Sequence, residues 1–134
     1  MKKIILSLIL VFLGLNSNSQ NLIGLSKEEV TSFIEKTHPE YETPRWGVNR
    51  FGLDFAEYKD NKGNFVTYFF DDNICNYYIL IYDNKFKKIV INTMNELATQ
   101  ISSLEWISYG KDYDTIMFLQ EESDFFAIVI SIRM

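Results

Sequence analysis

Residues 65–82 read FVTYFFDDNICNYYILIY. Two runs rich in aromatic and β-branched residues flank Asp71-Asp72-Asn73, a cluster of good turn formers. The pattern predicts a hairpin, with strands over 65–70 and 74–82. Side chains alternate across a strand, so Phe65, Thr67 and Phe69 share one face and Val66, Tyr68 and Phe70 the other. The run near the C-terminus is built alike: Phe126, Ile128, Ile130 and Ile132 oppose Phe125, Ala127 and Val129. A sheet covered on one side alternates apolar with polar. These strands are apolar on both sides, so both faces of the sheet call for cover.

Upstream, Leu53 to Tyr58 alternates like another strand, and Lys59 to Asn64 forms a polar turn. Residues 25–30, LSKEEV, form a helix start. Ser26 and Glu29 have the spacing of a capping box, and Leu25 and Val30 that of a hydrophobic staple. Val30, Phe33 and Ile34 continue at helical spacing, and Pro39 forces a stop, which predicts a helix over 27–37. Residues 38–52, HPEYETPRWGVNRFG, hold both prolines and read as a loop. Downstream, Phe86, Ile89, Val90, Thr93, Leu97 and Ile101 predict one helix over 84–102. The β-branched run Ile89-Val90-Ile91 keeps open a strand over 86–91, followed by a helix capped at Thr93. Three further strands are expected over 106–109, 115–119 and 124–132.

The expected order is α-βββ-α-βββ, an α+β fold with an antiparallel sheet of about six strands and two principal helices. The halves also align: residues 67–81 set against 115–129 at a constant offset of 48. Internal duplication and shared hairpin grammar both account for that match. Two helices of this size cannot cover both faces of the sheet. The second face is expected to be covered by sheet curvature, by the 38–52 segment, by a second molecule or by a ligand.

The chain of 134 residues has a formal net charge of −5, 47% hydrophobic residues and 16% aromatic ones. That predicts one domain and excludes a disordered chain. One Cys and one His exclude a disulfide scaffold and a structural zinc site. The acidic balance, with no basic run, argues against nucleic acid as a partner. Met1-Lys2-Lys3, the apolar run Ile4 to Leu15 and the polar stretch Asn16 to Gln20 have the layout of a secretory signal peptide. The apolar run is shorter than the roughly twenty residues that span a bilayer. Residues 1–19 are therefore expected to be cleaved, leaving residues 20–134 as a single α+β domain in the periplasm or outside the cell. No stable membrane anchor is expected after cleavage.

No motif for catalysis, phosphate binding or a cofactor is present. His38 and Cys75 would need to approach within hydrogen-bond reach to form a nucleophilic pair, and nothing in their spacing demands it. Asp71-Asp72-Asn73 lacks the Gly and Glu of a calcium loop and reads as turn chemistry. The best binding candidate is the 38–52 segment, which gathers His38, Tyr41, Arg45, Trp46 and Arg50. Trp, Tyr and Arg dominate protein interfaces. The competing expectation is that Trp46 folds inward as a plug of the core.

Residues 24–30, GLSKEEV, followed by 68–73, YFFDDN, resemble a pattern in small bacterial envelope proteins of the SmpA/OmlA lipoprotein and β-lactamase-inhibitor-protein-like types. Their unit opens on a G-[ML]-[ST]-x-x-[DE]-V helix start and later carries an aromatic strand ending in an F-[DN]-[DN] turn. The resemblance covers residues 22–82. The chain departs from the lipoproteins in lacking a lipidated Cys. The resemblance implies a non-enzymatic, protein-binding module of the envelope. The expected function is therefore an exported binding module whose partner is another protein or a second copy of itself. The alternative is a carrier or sensor that holds a small apolar ligand between helices and sheet.

Overall fold

The computed structural model describes residues 22–133. The apolar run from Ile4 and the expected cleavage boundary at Ser19 lie outside the described residues. The first helix, α1, spans Lys27–Thr37. Its capping box forms as the sequence predicts. Ser26 Oγ accepts from the Glu29 N–H at 3.2 Å, and the Glu29 carboxylate accepts from the Ser26 N–H at 3.2 Å. The helix ends where His38 donates its N–H to the Ile34 carbonyl at 2.7 Å. Pro39 follows at once and cannot continue the turn.

Eight strands follow: β1 Arg45–Val48, β2 Asp54–Lys59, β3 Phe65–Asp71, β4 Ile74–Asp83, β5 Thr99–Ser102, β6 Glu105–Ser108, β7 Asp114–Glu121 and β8 Phe125–Arg133. A 3₁₀ turn, Asn84–Phe86, leads into the second helix, α2, Lys87–Leu97. All strands pair antiparallel in one sheet, in the order β1-β2-β3-β4-β8-β7-β6-β5. Among the described residues the fold is α+β with two helices and an antiparallel sheet, as expected. The count of six strands and the order α-βββ-α-βββ are corrected to eight and α-ββββ-α-ββββ.

Both extra strands hide in segments whose pattern points elsewhere. Arg45–Val48 is four residues long and contains a glycine, too short for alternation to register among prolines. Leu97 and Ile101 keep helical spacing, but the chain leaves the helix at Ala98, which is extended at φ −144° and ψ 168°. Residues 99–102 are β5 rather than a helix end. The strand alternative over 86–91 also fails, because Val90 is wholly buried on the inner face of α2. Packing of that stripe outweighs the weak helix propensity of β-branched residues.

The β3–β4 turn places Asp72 and Asn73 at φ 50° and 68°, the two positive values that a type I′ hairpin turn requires. A bulge between Phe69 and Phe70 shifts the register, pairing Phe69 with Tyr77 but Phe70 with Cys75. Asn76 absorbs the extra residue, so Cys75 and Tyr78 both point to the same side. The segment before α1 is tied to this turn. Gly24 N–H donates to the Cys75 carbonyl at 2.8 Å, Cys75 N–H to the Leu25 carbonyl at 2.8 Å and Lys27 N–H to the Asn73 carbonyl at 3.1 Å. The GLSKEEV and FDDN stretches are thus in direct contact.

Each half is a helix followed by a four-strand meander, and the meanders join through β4 and β8. The offset of 48 keeps side-chain phase only in part. It sets Tyr78 on Phe126, which share a face, but Tyr68 on Ile116, which do not. Both helices lie on the same side of the sheet. Val30 and Ile34 of α1, and Val90 and Met94 of α2, join Tyr68, Tyr78, Leu80, Phe126, Ile128, Ile130, Met117 and Trp106 in one buried cluster.

Candidate binding surface on the open sheet face

The alternating residues of the same strands point away from the helices. Read across the register, one row runs Gly47, Phe55, Phe69, Tyr77. The next runs Arg45, Glu57, Thr67, Ile79, Val129, Phe118, Glu105. The first row continues past Ser131 to Ile116 and the buried Ile107, and a third row carries Phe65, Ile81 and Ala127. No described helix covers this face. Phe55, Phe65, Phe69, Tyr77, Ile79, Ile81, Ile116 and Val129 are only partly buried, and Phe118 is 40% exposed.

The aromatic side chains form a ladder. Phe69 and Tyr77 stack with ring centroids 4.5 Å apart, and Phe55 lies 6.1 Å from Phe69. The Arg45 guanidinium sits 5.0 Å above the Phe55 ring, and the Lys59 ammonium 5.8 Å from the Phe65 ring. Gly47 makes room for this arrangement, since a Cβ there would stand 2.6 Å from the Phe55 ring tip. Arg45 also pairs with Glu57, its cross-strand neighbour, at 3.3 Å. At the far end, Arg133 pairs with Asp114 at 3.5 Å. Charge is confined to the margin, and the middle is apolar. A shallow depression of about 420 Å³ opens at one end, with Phe65, Ile81 and Phe125 among its walls and Glu57, Asp83 and Asp124 around them.

The segment singled out from sequence is not one site. His38 is buried at the end of α1, stacked 4.6 Å from the Tyr41 ring, with Nδ1 3.0 Å from the Glu40 carboxylate. That contact holds the Glu40 carboxyl below its usual range, against the opposing effect of burial. Tyr41 reaches beneath α1, where desolvation pushes its phenol well up. Together with Tyr58 these two line a pocket of about 320 Å³. Arg45 and Trp46 are neighbours in β1 and so face opposite ways: Arg45 caps the open face, and Trp46 stands on the helix side, 6.0 Å from Phe70. Arg50 is apart from all four, on the exposed β1–β2 hairpin over Phe51. The inward plug is corrected too. Trp46 is 46% exposed, because β1 is the edge strand and α1 leaves a groove between them. The 38–52 segment extends the sheet and does not fold over its second face.

No family model, curated protein or solved structure matches this chain. Among the described residues, no group of three or more His, Cys, Asp or Glu could hold a metal ion, and no helix is long and apolar enough to cross a membrane. Cys75 lies in the core, where burial pushes its thiol up to about 12. That disfavours the thiolate a nucleophile needs. The residues that sequence reasoning left out of the site, Phe55, Tyr77, Ile79, Ile116 and Phe118, carry the signal of alternation. What the sequence withheld was which of the two apolar faces receives the helices.

Proposed function

We propose that this protein is an exported, non-enzymatic binding module that holds a protein partner on the open face of its sheet. The observation that carries this reading is the pair of uncovered rows, Phe55, Phe69 and Tyr77 beside Ile79, Val129 and Phe118, on strands whose other face packs against the helices. An apolar area of this kind, rimmed by paired charges, is characteristic of an interaction surface. Export rests on the sequence of residues 1–20 and on nothing else. Mass spectrometry of the chain from its native host is expected to find Gln20 as the N-terminus; retention of Ile4 to Leu15 would overturn export.

Binding is tested by capture from an envelope fraction, comparing the parent chain with Phe118→Lys on the open face and Glu35→Lys on α1. Loss of a captured protein in the first variant only supports the reading. Equal capture by both variants overturns it. The carrier alternative draws less support. The helices and sheet interpack directly, and the pocket beside His38 and Tyr41 carries Glu35 and Glu42 among its walls.

A further inference from the structure

Resting on the reading above, we infer that the occupant of the open face is a second copy of this chain, seated face to face to make a two-sheet sandwich. The first argument is area. With strands about 4.8 Å apart and about 3.3 Å per residue, the eight strands present roughly 800 Å² on one side. A standard interface buries about 800 Å² on each partner, so one sheet covers another almost completely. Packed sheets lie about 10 Å apart with interdigitating side chains, and partly buried aromatic and β-branched residues suit that spacing.

The second argument is the distribution of side chains between the halves. The β1–β4 half offers Phe55, Phe65, Phe69, Tyr77, Ile79 and Ile81; the β5–β8 half offers Ile116, Phe118, Phe125 and Val129, so both halves present partly open apolar side chains. The β1–β2 margin carries Arg45 and Lys59, and the β6–β7 margin carries Glu105 and Asp114. Glu57 is answered within the chain by Arg45, and Arg133 by Asp114. A two-fold axis parallel to the strands lays each half over the opposite half of its partner. Apolar side chains then meet apolar side chains, and Arg45 comes over Glu105 of the second copy, which lies in the same row across the sheet. Such an interface is isologous and closes at two copies.

Sedimentation velocity on the purified chain across a dilution series tests this. The expected result is a species of roughly twice the monomer mass that dissociates on dilution. Phe118→Lys, at an exposed position that leaves the helix-side core untouched, is expected to sediment as a monomer with unchanged circular dichroism. Arg45→Glu is expected to weaken the dimer by about tenfold, and the double variant Arg45→Glu with Glu105→Lys to recover most of that loss. A parent chain that is monomeric at every concentration overturns the inference. So does a dimer that survives Phe118→Lys, because its interface lies elsewhere. A monomer that still loses its captured envelope protein on Phe118→Lys sinks the self-association while leaving the binding-module reading intact.

Discussion

The two faces of the sheet have nearly the same composition and opposite fates. Tyr68 and Tyr78 are fully buried beneath the helices, while Phe69 and Tyr77, their immediate neighbours in β3 and β4, remain partly open. Strand sequence alone therefore does not decide burial. The helices do, and each offers a single apolar stripe, Val30 with Ile34 and Val90 with Met94. Two stripes cover one face. The other is left with rings and branched chains that bury one another sideways, with no described helix above them.

The contrast breaks most completely in alkali. Desolvation drives the phenols of Tyr68 and Tyr78 well above their usual value. A phenol raised in the folded state stabilises the fold fully below its unfolded value, near pH 10, and that stability is lost as the pH climbs toward the folded value. Cooperative loss of circular dichroism above about pH 10, coincident with the ionisation of buried tyrosine, is the expected outcome. Tyrosine ionisation complete before any unfolding would show that the helices do not seal their face.

Next in size is a pair of tryptophan truncations. Trp106 is 1% exposed and donates its indole N–H to Asn95 at 2.7 Å. Its replacement by Ala is expected to cost about 3–5 kcal/mol in urea unfolding. Trp46→Ala, at the half-open edge, is expected to cost under about 1 kcal/mol. Similar losses at the two sites would erase the distinction between core and margin. Iodide should accordingly quench one tryptophan and spare the other.

Gly47→Ala probes the open face itself. The added methyl displaces the Phe55 ring tip, which is free to tilt toward solvent, so a cost of about 1 kcal/mol is expected. Phe55→Ala in the same chain should remove most of that penalty, measured as a double-mutant cycle. The smallest effect belongs to Cys75. Its raised thiol should leave it unreactive toward alkylating reagents in the native chain at neutral pH, with labelling that follows unfolding. Rapid labelling of the folded chain would mean that the covered face opens.

Much of this was legible beforehand. Ser26 and Glu29 announced α1, and Asp72-Asn73 announced the central hairpin, because caps and tight turns depend on a few residues acting locally. The apolar character of both sheet faces was also readable from alternation. The two four-residue edge strands were not. Their identity is set by pairing with β2 and β6 rather than by their own pattern, as the exposed, largely polar residues of Thr99–Ser102 illustrate. The scatter of the candidate residues has a related reason. His38, Tyr41, Arg45, Trp46 and Arg50 are close in sequence, but a helix end, an edge strand and a hairpin distribute them over three surroundings.

The β4–β8 seam sets the order in which the molecule can be assembled. Every other pairing in the sheet joins strands that are consecutive in the chain, whereas Tyr78 to Asp83 must wait for Phe125 to Ile130, after α2 and three strands have been laid down. Local hairpins close quickly, and a ladder between distant segments pays its loop entropy late. Until β8 arrives, β4 is an unpaired edge whose Ile79-Leu80-Ile81 run is open to any passing strand. An unfinished chain is therefore most vulnerable in the segment that ends up nearest the middle of the finished sheet, and whatever attends it on its way to the native state must shield that strand first.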